Sequence, residues 1–253
     1  MRIGLCLSGG AAHGFAHLGV LKAFDELNIS ISAISGTSSG AIAGAFYAAG
    51  YSPDAAFDLI SKRNILKLMR PAFCRYGLIN MDQVEKAFSE YFGTKTLQEL
   101  KPKLIIGTTD LNQGINVYFR EGDIIKPLTA SCAVPIVCKP INYPGHFLID
   151  GGLINNLPVE CLTGEADFIV GVHVNPFDHQ SQITSFRGVM ERTFHLAINN
   201  NVEPRLKLCN FLIEPPVLKH YSLLSLKDAK KMFLAGYEHT LTLSDKLFAA
   251  MQA

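Results

Sequence analysis

A chain of 253 residues, 48% hydrophobic and 18% charged, can bury a sizeable core in one large α/β domain or two small ones. A net charge of +1 gives no argument for nucleic acid as a partner. The six cysteines (Cys6, Cys74, Cys132, Cys138, Cys161 and Cys209) are scattered with no C-x-x-C pair, which fits reduced thiols in a cytosolic protein and no metal framework.

The opening Met1–Gly10 is too short and too broken by glycine to read as a signal peptide. Ile3 to Leu7 reads as a buried strand. Ser8-Gly9-Gly10-Ala11-Ala12-His13-Gly14 follows as a turn. Phe15, Leu18, Leu21, Phe24 and Leu27 then recur at helical spacing, with Lys22, Asp25 and Glu26 on the other side. A glycine turn between strand and helix exposes backbone N–H groups and can bind anions. Three readings compete: a phosphate cradle, an oxyanion hole and a plain βα turn. The glycines do not fit G-x-G-x-x-G, and there is no G-K-[ST].

A β-prone run from Ile29 to Ile34 leads into Gly36-Thr37-Ser38-Ser39-Gly40, and an alanine-rich helical run closes at Gly50. Strand, sharp turn and helix around G-x-S-x-G form the pattern of a nucleophile elbow. Such a turn holds the central serine oxygen in the open, at a helix N-terminus where an oxyanion is stabilised. Ser38 is the expected nucleophile, with Ser39 as the fallback; an ordinary Ser/Gly loop capping a core helix is the alternative. Leu27 to Pro53 carries no charge, but with Ser and Gly in its middle it reads as buried strand plus helix and not as a membrane span.

Ser52-Pro53-Asp54 starts another helix. Lys62, Arg63, Lys67, Arg70 and Arg75 follow with no acidic residue between Asp58 and Asp82, interleaved with Leu66, Leu68, Met69 and Phe73. This is either a solvated face or a basic, apolar surface for an anionic membrane. Asp82 to Phe92 reads as a helix. Lys103 to Thr109 and Ile115 to Phe119 read as strands joined by a turn at Asn112-Gln113-Gly114. Ile124 to Cys132 reads as helical and runs into Ala130-Ser-Cys-Ala-Val-Pro135.

His146 to Asp150 is a short apolar strand ending in Asp150-Gly151-Gly152. That is a hairpin turn or a carboxylate delivered at a strand end, where α/β active sites collect. Asn155-Asn156-Leu157-Pro158 leads into a short helix. Phe168 to Val174 reads as a strand, Phe186 to Asn199 as a helix, Leu208 to Ile213 as a strand, and Leu226 to Phe248 as one long amphipathic helix. In that helix Met232, Phe233, Tyr237, Leu241 and Phe248 read as core. No repeat or clear linker appears, so residues 1–253 are expected to form one domain.

A nucleophilic serine needs a base, and none of the eight histidines sits in a recognisable signature. His173, at a strand end, is the best histidine candidate. The α/β-hydrolase fold fits poorly, because only two strands and one helix precede Ser38.

With these blocks in order, the sequence resembles the patatin-like phospholipases. Leu7-Ser-Gly-Gly-Ala-Ala-His-Gly14 resembles the family's glycine-rich oxyanion block, and Gly36-Thr-Ser-Ser-Gly40 its elbow. Ala130-Ser-Cys-Ala-Val-Pro135 resembles its A-S-x-A-x-P segment, and Asp150-Gly-Gly152 its D-G-[GA] block. The resemblance covers about the first 155 residues. It implies a three-layer α/β/α sandwich with a central, mostly parallel sheet, and hydrolysis of lipid or other carboxylic esters without metal or cofactor. It implies a catalytic dyad of Ser38 and Asp150. The N–H groups of Gly9, Gly10 and Ala11, with that of Ser39, are expected to hold the oxyanion. His13, Gly14, Gly36, Gly40, Gly151 and Gly152 are expected to support the site.

Two departures stand out: Ala11 replaces the family's usual third glycine, and His13 its Arg or Lys. The rival functions are an acyltransferase or thioesterase on the same dyad, and a non-catalytic lipid or nucleotide sensor. The expected location is cytoplasmic, with transient contact at the inner membrane face through Lys62, Arg63, Lys67 and Arg70.

Overall fold

The computed structural model describes residues 1–63, 70–74, 77–176, 183–223 and 225–252. Strand β1 (Ile3–Leu7) is buried along its whole length, as its unbroken apolar run dictates. It passes through a single 3-10 turn (Ala11–Gly14) into helix α1 (Phe15–Glu26). Strand β2 (Ile31–Thr37) meets helix α2 (Ser39–Ala48) at Ser38, and helix α3 (Pro53–Arg63) follows. Strands β3 (Arg70–Cys74) and β4 (Gly77–Asn80) form a small antiparallel pair of their own. Helix α4 (Asp82–Phe92) precedes the hairpin of β5 (Lys103–Asp110) and β6 (Ile115–Phe119). Then come helix α5 (Ile125–Ser131), strands β7 (Ile141–Tyr143) and β8 (His146–Asp150), strand β9 (Phe168–Val172), helix α6 (Phe186–Leu206) and strand β10 (Phe211–Ile213). Helices α7 (Ala229–Thr242) and α8 (Ser244–Gln252) end the described chain.

The main sheet runs β10-β9-β1-β2-β5-β8-β7, with β6 also on β5. The pairs from β10 through to β5 are parallel, and those that β5 makes with β6 and β8, and β7 with β8, are antiparallel. This is the expected mostly parallel sheet between helices. Side chains alternate across it with the strand period. Leu5, Leu7, Ile34, Leu104 and Ile106 pack with α1, α2 and α7, while Cys6, Ala33 and Ile105 pack on Leu157, Leu162 and Val202 of the other layer.

Helices α1 and α7 cross at backbone contact. A methyl group on Gly19 would overlap the Phe233 carbonyl, and one on Gly236 would overlap that of Ala16. Only glycine allows this approach.

The expected boundaries fail in a few places. The long C-terminal helix is two helices separated at Leu243, and Phe248 is partly exposed where a core position was expected. Helix α6 continues to Leu206, with Pro204 in its last turn, where a proline removes only one backbone bond. The β3–β4 hairpin and β7 were not expected. Within the basic run, Lys62 pairs with Asp58 at 3.1 Å, one helical turn away, and Arg63 with Glu90 of α4 at 2.5 Å. Arg63 therefore has an acidic partner that is distant in sequence. Lys67 and Arg75 lie outside the described residues, and of Arg70 only the backbone is described. No helix among the described residues is long and apolar enough to cross a membrane.

Candidate active site

Strand register brings the two key residues together. Thr37, the last residue of β2, lies opposite Gly107 of β5, and Asp150, the last residue of β8, lies opposite Thr108, the next residue of β5. Ser38 follows Thr37 at φ 52°, ψ −124°, a strained conformation that presents its side chain at the start of α2. Gly40 makes the sharp turn possible, since a Cβ there would overlap the Leu7 carbonyl and come within 2.6 Å of that of Ser8. Gly36 packs on the backbone of Gly40 and Ala41, and Gly14 on Ser39. Ser131 braces the elbow: its Oγ accepts from the Ser38 N–H at 2.8 Å and donates to the Gly107 carbonyl at 2.7 Å.

The Asp150 carboxyl and Ser38 line the same cavity, close enough for the serine hydroxyl to act on the carboxyl's pKa. Asp150 Oδ1 accepts the Gly152 N–H at 2.8 Å, and its own N–H donates to the Ala133 carbonyl at 2.9 Å. Gly151 lies flat on the Gly107–Thr108 backbone. Burial pushes the Asp150 pKa up to about 6, against the opposing pull of the Gly152 N–H and the Ser38 hydroxyl. A carboxylate poised there is a competent general base near neutral pH.

The glycine turn differs from expectation in one donor. The Gly9 N–H donates to the Asn156 carbonyl at 3.1 Å, so it is not available to an oxyanion. Its carbonyl accepts two side-chain amides, Asn175 Nδ2 at 2.6 Å and Asn156 Nδ2 at 3.2 Å. Among the described residues the N–H groups of Gly10, Ala11 and Ser39 have no backbone or side-chain acceptor. Ala11 sits at φ 46°, in the left-handed region that the family's glycine would occupy without strain.

His13 does not face the reacting groups. It is buried, with Nδ1 2.8 Å from the Val174 carbonyl and Nε2 3.0 Å from that of Tyr221, and burial lowers its pKa. It fastens the turn to two later segments. His173 is buried against Glu214 (Nδ1 to Oε1, 2.6 Å), and His146 bonds Asp110 at 2.7 Å. Among the described residues no histidine lines the cavity that holds Ser38 and Asp150, and the best histidine candidate, His173, is not in its wall.

That cavity measures about 440 Å³. Ser38, Ser39, Gly10, Ala11, Gly152, Asn156 and Asp150 stand in its wall, and the rest is almost wholly apolar, with Leu18, Ile42, Ile60 and Val137 prominent. The sequence had given no role to Ser131, Asn156 or Asn175. The first two lie inside quoted blocks. Asn175 belongs to no motif and reaches Gly9 only through the fold.

Comparison with known proteins gives the family of the chain. Residues 5–162 match the model of the patatin-like phospholipases. An uncharacterized NTE family protein of Mycobacterium bovis is 32% identical over 177 residues, covering 69% of this chain and 49% of that protein. Lysophospholipase NTE1 of Scheffersomyces stipitis is 23% identical over 280 residues, covering 98% of this chain but 18% of its own length. The chain thus spans about half the length of the first relative and less of the second. The crystal structure of VipD from Legionella pneumophila superposes with a TM-score of 0.63 at 16% identity, covering 97% of this chain and 67% of that one. The match over most of the chain and the relative at 32% identity make this protein a member of the patatin-like phospholipase family.

Proposed function

We propose that this protein is a serine acyl hydrolase that cleaves lipid or other carboxylic esters through Ser38, Asp150 and a covalent acyl-enzyme. The observation that carries the reading is the strained Ser38 and a buried carboxyl with a pKa near neutrality, together in the wall of an apolar cavity. Asp150 accepts the Ser38 proton as Oγ bonds to the ester carbonyl carbon. The resulting oxyanion accepts from the N–H groups of Gly10, Ala11 and Ser39, aided by the positive end of α2. The tetrahedral adduct collapses, the C–O bond to the alcohol breaks, and Asp150 returns the proton to that leaving oxygen. Water, deprotonated by Asp150, then attacks the acyl-Ser38 carbonyl and releases the fatty acid, and the proton returns to Ser38.

The cavity supports a lipid acyl chain as the group it takes in. We place the reaction in the cytoplasm, a reading supported by the five described cysteines, all of which are free thiols.

The test is labelling by a fluorophosphonate probe together with turnover of a panel of p-nitrophenyl esters and phospholipids. Labelling that disappears in Ser38→Ala, with ester hydrolysis, is expected. Absence of both from folded wild-type protein would favour a lipid sensor. Acyl transfer to an added alcohol or thiol in preference to water would favour a transferase.

A further inference from the structure

The segment Cys132–Cys138 forms one flank of the cavity, with Val134, Pro135, Val137 and Cys138 in its wall. Ile136, in the middle of that run, is instead 81% exposed and sits at φ 70°. A β-branched side chain in the left-handed region is sterically costly, and leaving it in water adds to the cost. The turn is braced from three sides. The Cys138 N–H donates to the Val134 carbonyl at 2.8 Å, the Val137 carbonyl accepts from Leu78 and Ile79 at 3.0 and 2.9 Å, and the Ala133 carbonyl accepts from Asp150 at 2.9 Å. A well-held turn therefore displays a strained, exposed isoleucine beside the catalytic residues, which is where such strain tends to have a use.

Leu78, held against this turn, is 62% exposed. Leu153 is 42% exposed and also lines the cavity, so it marks the mouth. Neither Gly77–Asn80 nor Cys132–Cys138 contains a charged residue. Of the basic run, Lys62 pairs with Asp58 and Arg63 with Glu90.

We propose that Ile136, Leu78 and Leu153 form a rim that docks on a lipid surface by apolar insertion, so that an acyl chain passes from the lipid layer into the cavity without crossing water. This rests on reading the cavity as the acyl site. An uncharged, aliphatic rim continuous with an apolar cavity fits a lipid layer whatever its headgroup charge, and predicts attachment that salt does not break.

The test is sedimentation with phosphatidylcholine vesicles, with and without phosphatidylglycerol, alongside hydrolysis of soluble p-nitrophenyl butyrate. Wild type should bind phosphatidylcholine vesicles, and about 0.5 M salt should leave binding intact. Ile136→Asn and Leu78→Ser should each weaken binding roughly tenfold while butyrate turnover stays at wild-type level. Ile136→Met should retain binding. Asparagine tolerates the left-handed backbone, so Ile136→Asn should also raise Tm, which excludes unfolding as the cause of lost binding. Vesicle binding without any ester turnover would leave the rim standing and remove the hydrolase reading. Turnover of butyrate by a protein that does not bind vesicles would overturn the rim alone. Binding that requires phosphatidylglycerol and vanishes in salt, or a dimer that Ile136→Asn dissociates, would also overturn it.

Discussion

The Asn175 side-chain amide donates to the Gly9 carbonyl at 2.6 Å, joining residues 166 positions apart. A trans peptide is planar, with its C=O and N–H pointing in opposite directions. Holding the Gly9 carbonyl on the Asn175 side therefore turns the Gly10 N–H away from it, and Gly10 lines the cavity. On the proposed mechanism Asn175 is a positioning residue for the oxyanion donor. Asn175→Ala and the nearly isosteric Asn175→Asp, which cannot donate, should both lower kcat by roughly 10- to 100-fold with KM little changed. A full-activity Asn175→Asp protein would show that shape alone suffices at this position.

The two adjacent serines should behave in opposite ways. Ser38→Ala should lose several orders of magnitude in kcat and all probe labelling. Ser38→Gly should be equally inactive yet more stable by about 1 to 2 kcal/mol, because glycine relieves the strain at φ 52°. The Ser39 hydroxyl is buried with no partner among the described residues, so Ser39→Ala should retain activity and match or exceed wild-type Tm. Thermal melts and burst titration of the three single variants would expose a misregistered elbow: Ser39→Ala inactive and Ser38→Ala labelled.

The pH dependence follows from Asp150. The base must be ionised, so kcat/KM should fall about tenfold per pH unit below its pKa of about 6. A histidine base would give a similar profile, so Asp150→Asn must accompany it and should be nearly inactive. Stability gives a separate signature. The folded pKa lies above the unfolded value of about 4, so the folded protein holds the extra proton between those limits. That contribution is present on the acid side and is lost as pH rises through about 6. Asp150→Asn should therefore be more stable than wild type at pH 7 to 8, with the difference closing below about pH 4. A constant difference across the range would mean that the carboxyl is not desolvated. His17, lowered to about 4 by burial, acts in the opposite direction, and the comparison with Asp150→Asn cancels it.

On the proposed function the cavity of about 440 Å³ sets a limit on the length of acyl chain it takes in. Across a p-nitrophenyl ester series, kcat/KM should rise with chain length as each methylene is buried, then level off near that limit. Ile42→Phe, on the cavity wall, should move the limit toward shorter chains. A rise that continues unchanged to much longer esters would mean that the chain lies outside the cavity.

Much of this was legible in the sequence where local chemistry is decisive. Ile3–Leu7, Asp82–Phe92, Ile115–Phe119 and His146–Asp150 have the expected bounds, because apolar periodicity and turn residues delimit them sharply. Ser38 and Asp150 were singled out from short blocks, and the register of β5 places those blocks side by side. What escaped depends on distant partners. Gly9 has an N–H like its neighbours, and only the fold shows Asn156 accepting it. Asn175 has no local pattern. The rise in the Asp150 pKa comes from burial by elements remote in sequence. The break at Leu243 interrupts an apolar spacing that reads continuously across α7 and α8.

The crossing of α1 and α7 at Gly19 and Gly236 extends the machinery beyond its recognisable part. The family match ends at residue 162, yet α1, which carries the glycine turn at its head, is gripped by α7 from behind. The turn itself is tied to the same region, through Ala12 to the Leu223 carbonyl and His13 to that of Tyr221. On the proposed mechanism the motif-free C-terminal third thus acts as the jig for the turn that offers the Gly10 and Ala11 donors, a lever on turnover that alters no reacting group.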